Sequence, residues 1–194
     1  MEEEIKRIKK YAKEENIPIM QDEGISFLTS FIEKKQVKEI LEIGTAIGYS
    51  AIMMANVSSD IHITTIERDE GRYLEALKNI KKLHLEDRIT LIFNDALNME
   101  TNDKYDLIFI DAAKGKNIDF FNKFEKNLNE FGYIITDNME FHGYVNMNED
   151  EIPSKNILGI VRKIKDYIYF LENNMTYKTV IYNVGDGIAV TERR

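Results

Sequence analysis

The sequence predicts an α/β protein: a mostly parallel sheet with helices on both faces, closed by an antiparallel hairpin. Three observations lead there. Ile-rich strand-like runs alternate with helix-patterned segments through the interior, which implies parallel strands joined by crossover helices. Apolar runs end repeatedly in oxygen-bearing side chains, as "IFIDAAKGKN" and "YIITDN" do, and the C-terminal strand ends are where open α/β sheets hold ligands. Downstream, "TYKTVIYNV" and "IAVT" flank a Gly-Asp-Gly turn, which reads as a hairpin.

Taken in order, strand-like runs occupy Glu39–Ile43, Ile61–Ile66, Ile89–Phe93, Leu107–Ile110 and Tyr133–Thr136, each flanked by polar residues or glycine. Helical patterns lie between them at about Ser50–Asn56, Asp69–Leu83 and Asn117–Leu128, the middle one carrying Leu74, Leu77, Ile80 and Leu83 on one face. A further helix over about Lys155–Leu171 leads into the hairpin. There is no repeat, no low-complexity tract and no Pro/Gly/Ser linker, so residues 1–194 are read as a single domain.

Bulk properties exclude several classes. The chain has no cysteine, which removes disulfides and thiolate metal sites. No apolar run approaches the length of a membrane span, and "MEEEIKRIKK" is no signal peptide, so a cytoplasmic location is expected, away from membranes. A formal net charge of −8 argues against non-specific nucleic-acid binding. The basic stretches "KRIKKYAK" and "RKIK" have the spacing of ordinary solvated helix faces.

The chemistry gathers at the strand ends. In "LEIGTAIGYSA", Gly44 and Gly48 flank a tight turn before a helix, so a ligand can approach the backbone closely. The spacing is not the G-x-G-x-x-G of nicotinamide enzymes, and Glu42 beside it suits a cationic ligand rather than a pyrophosphate. Glu67 ends the second strand, where an acid commonly accepts both ribose hydroxyls of an adenosine; Asp69 and Glu70 beside it fit a helix cap instead. Asp95 and Ala96, in "FNDAL", fall at the adenine edge. Asp111 and the pair Asp137–Asn138 end neighbouring strands, and two carboxylates with an amide oxygen suit Mg²⁺ or Ca²⁺. Lys114, three residues past Asp111, reads as a general base, as a fixed charge beside an oxyanion, or as a structural ion-pair partner.

These residues resemble a known family. "LEIGTAIGYSA", "IERDE", "NDAL", "YDLIFIDAAKGK", "IITDN" and "VGDGIAVT" are similar to the motifs of cation-dependent class I O-methyltransferases that use S-adenosylmethionine, the catechol and caffeoyl-coenzyme A enzymes among them. "ENIPIMQDEG" with "FIDAAKG" looks closest to the bacterial tRNA 5-hydroxyuridine methyltransferases. The resemblance implies a Rossmann-like, seven-stranded mixed sheet and a homodimer. It implies Asp111, Asp137 and Asn138 as ligands of Mg²⁺ or another divalent cation, and Lys114 as catalytic base. Cofactor contacts are implied from Met20, Glu42, Gly44, Ser50, Glu67, Asp95 and Ala96, with Asp111 and Ala113 nearby. The implied acceptor is 5-hydroxyuridine at the tRNA wobble position, the alternative a small vicinal diol such as a catechol. A non-catalytic module would bind the cofactor without turnover, and a nicotinamide dehydrogenase would leave Asp111, Asp137 and Asn138 unexplained.

Overall fold

The computed structural model describes residues 1–194. Seven strands form one sheet: β1 Glu39–Ile43, β2 His62–Glu67, β3 Ile89–Phe93, β4 Tyr105–Ile110, β5 Leu128–Thr136, β6 Tyr177–Tyr182 and β7 Ile188–Arg193. Their order is β3-β2-β1-β4-β5-β7-β6, with β1 to β5 parallel and β7 antiparallel to both its neighbours. The mixed sheet and its hairpin are as the sequence predicts. The strand order reverses direction between β1 and β4, and that switch point is where α/β sheets open a crevice for ligands.

Six helices cover the sheet: α1 Glu2–Glu14, α2 Asp22–Lys35, α3 Tyr49–Ala55, α4 Glu70–Lys82, α5 Asn117–Phe124 and α6 Lys155–Glu172. The central strands are apolar on both faces, as buried parallel strands must be. Leu107 and Phe109 of β4 enter a core built with Ile8 of α1, Leu28 of α2, Ile52 of α3 and Ile80 of α4. Ile108 and Ile110 enter the opposite core with Phe120, Phe121 and Phe124 of α5 and Tyr167 of α6.

Three sequence expectations are corrected. Leu74 does not belong to the buried face of α4; it is 55% exposed, and the buried residues are Ala76, Asn79 and Ile80. The small Ala76 lets the turn at Gly48 pack closely, and the Asn79 amide donates to the Ile47 carbonyl at 2.9 Å. Strand β5 begins at Leu128 rather than Tyr133, because residues 129–132 leave the ladder between the pairs Tyr105–Leu128 and Leu107–Tyr133. That excursion exposes Glu130 and Phe131, and Asn129, Glu130 and Gly132 interrupt the apolar run in the sequence. Helix α5 stops at Phe124 and yields to a 3₁₀ turn, where the Asn127 amide donates to the carbonyls of Thr101 and Asp103.

Polar ties fix the strand ends away from the crevice. The Asp106 carboxylate accepts the main-chain N–H groups of Lys38 and Glu39 and the Asn129 amide, so one side chain binds β1, β4 and β5 together. On the crevice side, the last residue of β5, Thr136, shares a 2.9 Å hydrogen bond with the fully buried Tyr167 hydroxyl. Tyr167→Phe strands the Thr136 hydroxyl in the core and is expected to cost about 1–2 kcal/mol of unfolding free energy, read as a lower denaturant midpoint at unchanged slope.

Candidate active site

The ladder continues past the formal strand ends and sets the floor of a cavity. Gly44 donates its N–H to the Ile66 carbonyl, Asp111 to Ile43, Asp137 to Ile110 and Asn94 to Glu67, at 3.0–3.2 Å. Each tip is thereby registered to its neighbour. Gly44 has a φ of +101° and lies so close to β4 that a Cβ there would stand 2.3 Å from the Asp111 carbonyl oxygen. Only glycine fits.

The cavity has a volume of about 630 Å³ and is lined by residues of four strand tips, the 18–21 segment between α1 and α2, and the loop after β5. Met20, Gly44, Glu67, Asp95, Ala96, Asp111, Ala113, Lys114, Asp137 and Asn138 all line it, so most of the residues singled out in the sequence converge there. Glu42 and Ser50 do not. Glu42 is fully buried beneath the floor, where its carboxylate accepts from the Ser50 and Thr65 hydroxyls.

On one side, the Glu67 carboxylate accepts the main-chain N–H groups of Ala46, Arg68 and Asp69 at 2.8–2.9 Å. Those bonds aim it into the cavity beside the glycine turn. Asp95 caps the 3₁₀ turn at Ala96–Asn98 through the Leu97 N–H, and Arg68 pairs with its other oxygen at 3.2 Å. Both influences hold its carboxyl below the ordinary range, the Leu97 N–H more strongly.

On the other side, Asp111 and Asp137 meet. Burial raises both pKa values; Asp111 raises Asp137 further, to about 7, Asp186 pushes both up, and Lys114 opposes. Asn138, with φ +64°, turns its amide beside Asp137, and its oxygen accepts from Lys114 Nζ. The Lys114 ammonium also lies 5.9 Å from the centroid of the Phe141 ring. Buried Asp137, half-buried Asp111, an amide oxygen and one lysine leave an excess of negative charge in this corner, and an all-oxygen donor set of that kind fits a hard divalent cation.

Sequence reasoning missed four contributors. Asp186, in the turn between β6 and β7, lines the cavity but had been read only as a turn residue. Phe141, His142 and Ile160 also line the cavity, and no motif marks any of them. The left-handed φ values at Asn138, Phe141 and His142 are invisible in composition, because these residues seldom adopt that conformation.

Burial raises the Glu42 pKa to about 7, with repulsion from Asp111 and Glu67 adding and the two hydroxyls opposing. Between about pH 4.5 and pH 7 the folded chain holds a proton that the unfolded chain has released, so this group's contribution to stability falls as pH rises. Glu42→Gln removes that loss. In ligand-free protein, its stability advantage over the parent is expected to widen between pH 5 and 8 to about 3 kcal/mol, checked by urea unfolding at several pH values.

Comparison with known proteins places the chain. A family profile for O-methyltransferases matches residues 1–194. A caffeoyl-CoA O-methyltransferase of Populus kitakamiensis is 31% identical over 195 residues, covering 95% of this chain and 82% of that one. A Staphylococcus aureus structure, described as a candidate caffeoyl-CoA O-methyltransferase, superposes with a TM-score of 0.93 at 36% identity, over 98% of this chain and 92% of that one. A Bacillus cereus O-methyltransferase solved with S-adenosylhomocysteine shares the fold, with a TM-score of 0.84 at 24% identity, over 99% and 91% of the two chains.

Proposed function

The chain belongs to the O-methyltransferase family, and on that premise we propose that it transfers the methyl group of S-adenosylmethionine to a hydroxyl beside a second oxygen, with a divalent cation, Mg²⁺ first, at Asp111, Asp137 and Asn138. The observation that carries this reading is the meeting of two carboxylates at adjacent strand ends, Asp137 buried and Asp111 half-buried, with an amide oxygen and a lysine against them. Such a pair is costly unless positive charge offsets it. Bound there, the cation would supply Lewis-acid charge that favours loss of the acceptor's hydroxyl proton.

The chain's own residues account for the remaining steps. Glu67 accepts from the ribose hydroxyls, and the Gly44 turn admits the cofactor close to the backbone. Lys114 takes the acceptor's proton or stands as fixed positive charge beside the oxyanion. The oxygen–methyl bond forms as the sulfur–methyl bond breaks, sulfur keeps the electron pair, and S-adenosylhomocysteine leaves. Holding oxygen, carbon and sulfur in line accounts for much of the acceleration.

A small aromatic diol is the first reading for the acceptor, because the curated relative is named for caffeoyl-CoA, whose aromatic ring carries adjacent hydroxyls. The tRNA acceptor expected from the sequence finds no support in the relatives' names.

The deciding experiment incubates the protein and S-adenosylmethionine with caffeoyl-CoA, with 3,4-dihydroxybenzoate, or with tRNA containing 5-hydroxyuridine, each with Mg²⁺ or with chelator. Mass spectrometry of the products then assigns the acceptor. Methylation that survives the chelator would remove the cation from the reading. Once an acceptor is found, Lys114→Ala is expected to lower kcat about 100-fold or more while leaving S-adenosylmethionine affinity within twofold; an unchanged kcat would make the lysine structural.

A further inference from the structure

Asp186 is used by nothing described so far. It lies in the turn between β6 and β7, is 6% exposed, and lines the same cavity as Asp111, Asp137 and Asn138. Its Oδ1 accepts the main-chain N–H of His142. Its Oδ2 is buried with no hydrogen-bond partner, and of the three such side-chain atoms in the chain it alone belongs to a cavity-lining residue. A carboxylate oxygen stranded in this way is costly unless something positive is meant to face it.

The turn is fastened to the loop that follows Asn138. Met139 donates its N–H to the Gly187 carbonyl at 2.9 Å, and Glu140 to the Asp186 carbonyl at 2.8 Å. Gly187, at φ +82°, permits this approach; a Cβ there would come within 2.9 Å of the Glu140 nitrogen. With the Asp186–His142 bond, three contacts hold a segment in which Asn138, Phe141 and His142 all have positive φ. That backbone is unfavourable for those residues and persists only when its surroundings impose it. The His142 imidazole adds no close partner, its Nδ1 standing 3.9 Å from Oδ2.

We propose that Asp186 is a positioning residue of the cation site: its Oδ1 clamps the loop that carries Asn138, and its Oδ2 contributes a third negative charge that strengthens cation binding from outside the ligand set. No three acidic or histidine side chains are close enough to enclose a metal between them, so Asp186 acts on the cation through the field at Asp111 and Asp137 and through Asn138 rather than as a ligand. The inference rests on the cation reading given above.

Two variants separate the clamp from the charge. Asp186→Asn keeps an oxygen for the His142 N–H and loses the charge; Asp186→Ala loses both. Mn²⁺ affinity is read by electron paramagnetic resonance, loop order by hydrogen exchange at residues 139–142, and integrity by S-adenosylmethionine titration and thermal melting. Asp186→Asn is expected to bind Mn²⁺ about 10- to 100-fold more weakly with loop exchange and S-adenosylmethionine affinity as in the parent. Asp186→Ala should show the same weakening together with faster loop exchange. Parent-like Mn²⁺ affinity in Asp186→Asn overturns the charge role, and parent-like exchange in Asp186→Ala overturns the clamp. Absence of Mn²⁺ binding by the parent itself would sink the cation reading, and the proposal with it.

Discussion

The contact between Gly44 and the Asp111 carbonyl is the constraint on which the site depends. At this point the tips of β1 and β4 approach so closely that no side chain fits between them, and the two halves of the cavity share one backbone junction. The glycine turn and the strand end that carries the first carboxylate are each registered to a neighbouring strand through a main-chain hydrogen bond. In-line transfer rewards that rigidity, since small misplacements of the reacting atoms cost rate steeply. The remaining walls come from the 18–21 segment and the loop after β5.

Around this junction the fold concentrates charge that it would be more stable without. Glu42 lies under the floor, and Asp111, Asp137 and Asp186 stand in one corner of the cavity, each in a setting that disfavours ionisation or leaves an oxygen unmatched. The scaffold offsets this with cores on both faces of the sheet, where β1 and β4 are covered by aromatic and branched side chains. Stability is thus held in the layers and strain is held at the crevice, the division expected where a site is built for a ligand rather than for itself.

Much of this arrangement is legible in the sequence, because its signals are local. Ile-rich runs that stop at Glu67, Asp111 and Asp137 announce both the strands and the side of the sheet where they end. The limits are equally physical. Leu74 follows helical spacing yet faces solvent, since α4 is seated by the small Ala76 and the hydrogen-bonding Asn79 rather than by its largest apolar residues. The Asp186 turn reads as a hairpin and nothing more, because its partners lie more than forty positions away in sequence. Phe141 and Ile160 acquire meaning only from where the loop after β5 and helix α6 come to rest, and no periodicity encodes that.

The placement of β7 bears on how such a chain assembles. It sits between β5 and β6, although it follows both in sequence. During vectorial synthesis β1 to β5 can pair as they emerge, but β6 has no strand beside it until β7 has been made, and β5 keeps an open edge for the same interval. An unpaired edge is a template for wrong pairings. The turn that locks the loop after β5 arrives in the same late step. The same hairpin brings Tyr177, Ile188, Ala189 and Val190 to the cores on both faces of the sheet, so the last strands to be made complete the layers and the crevice together.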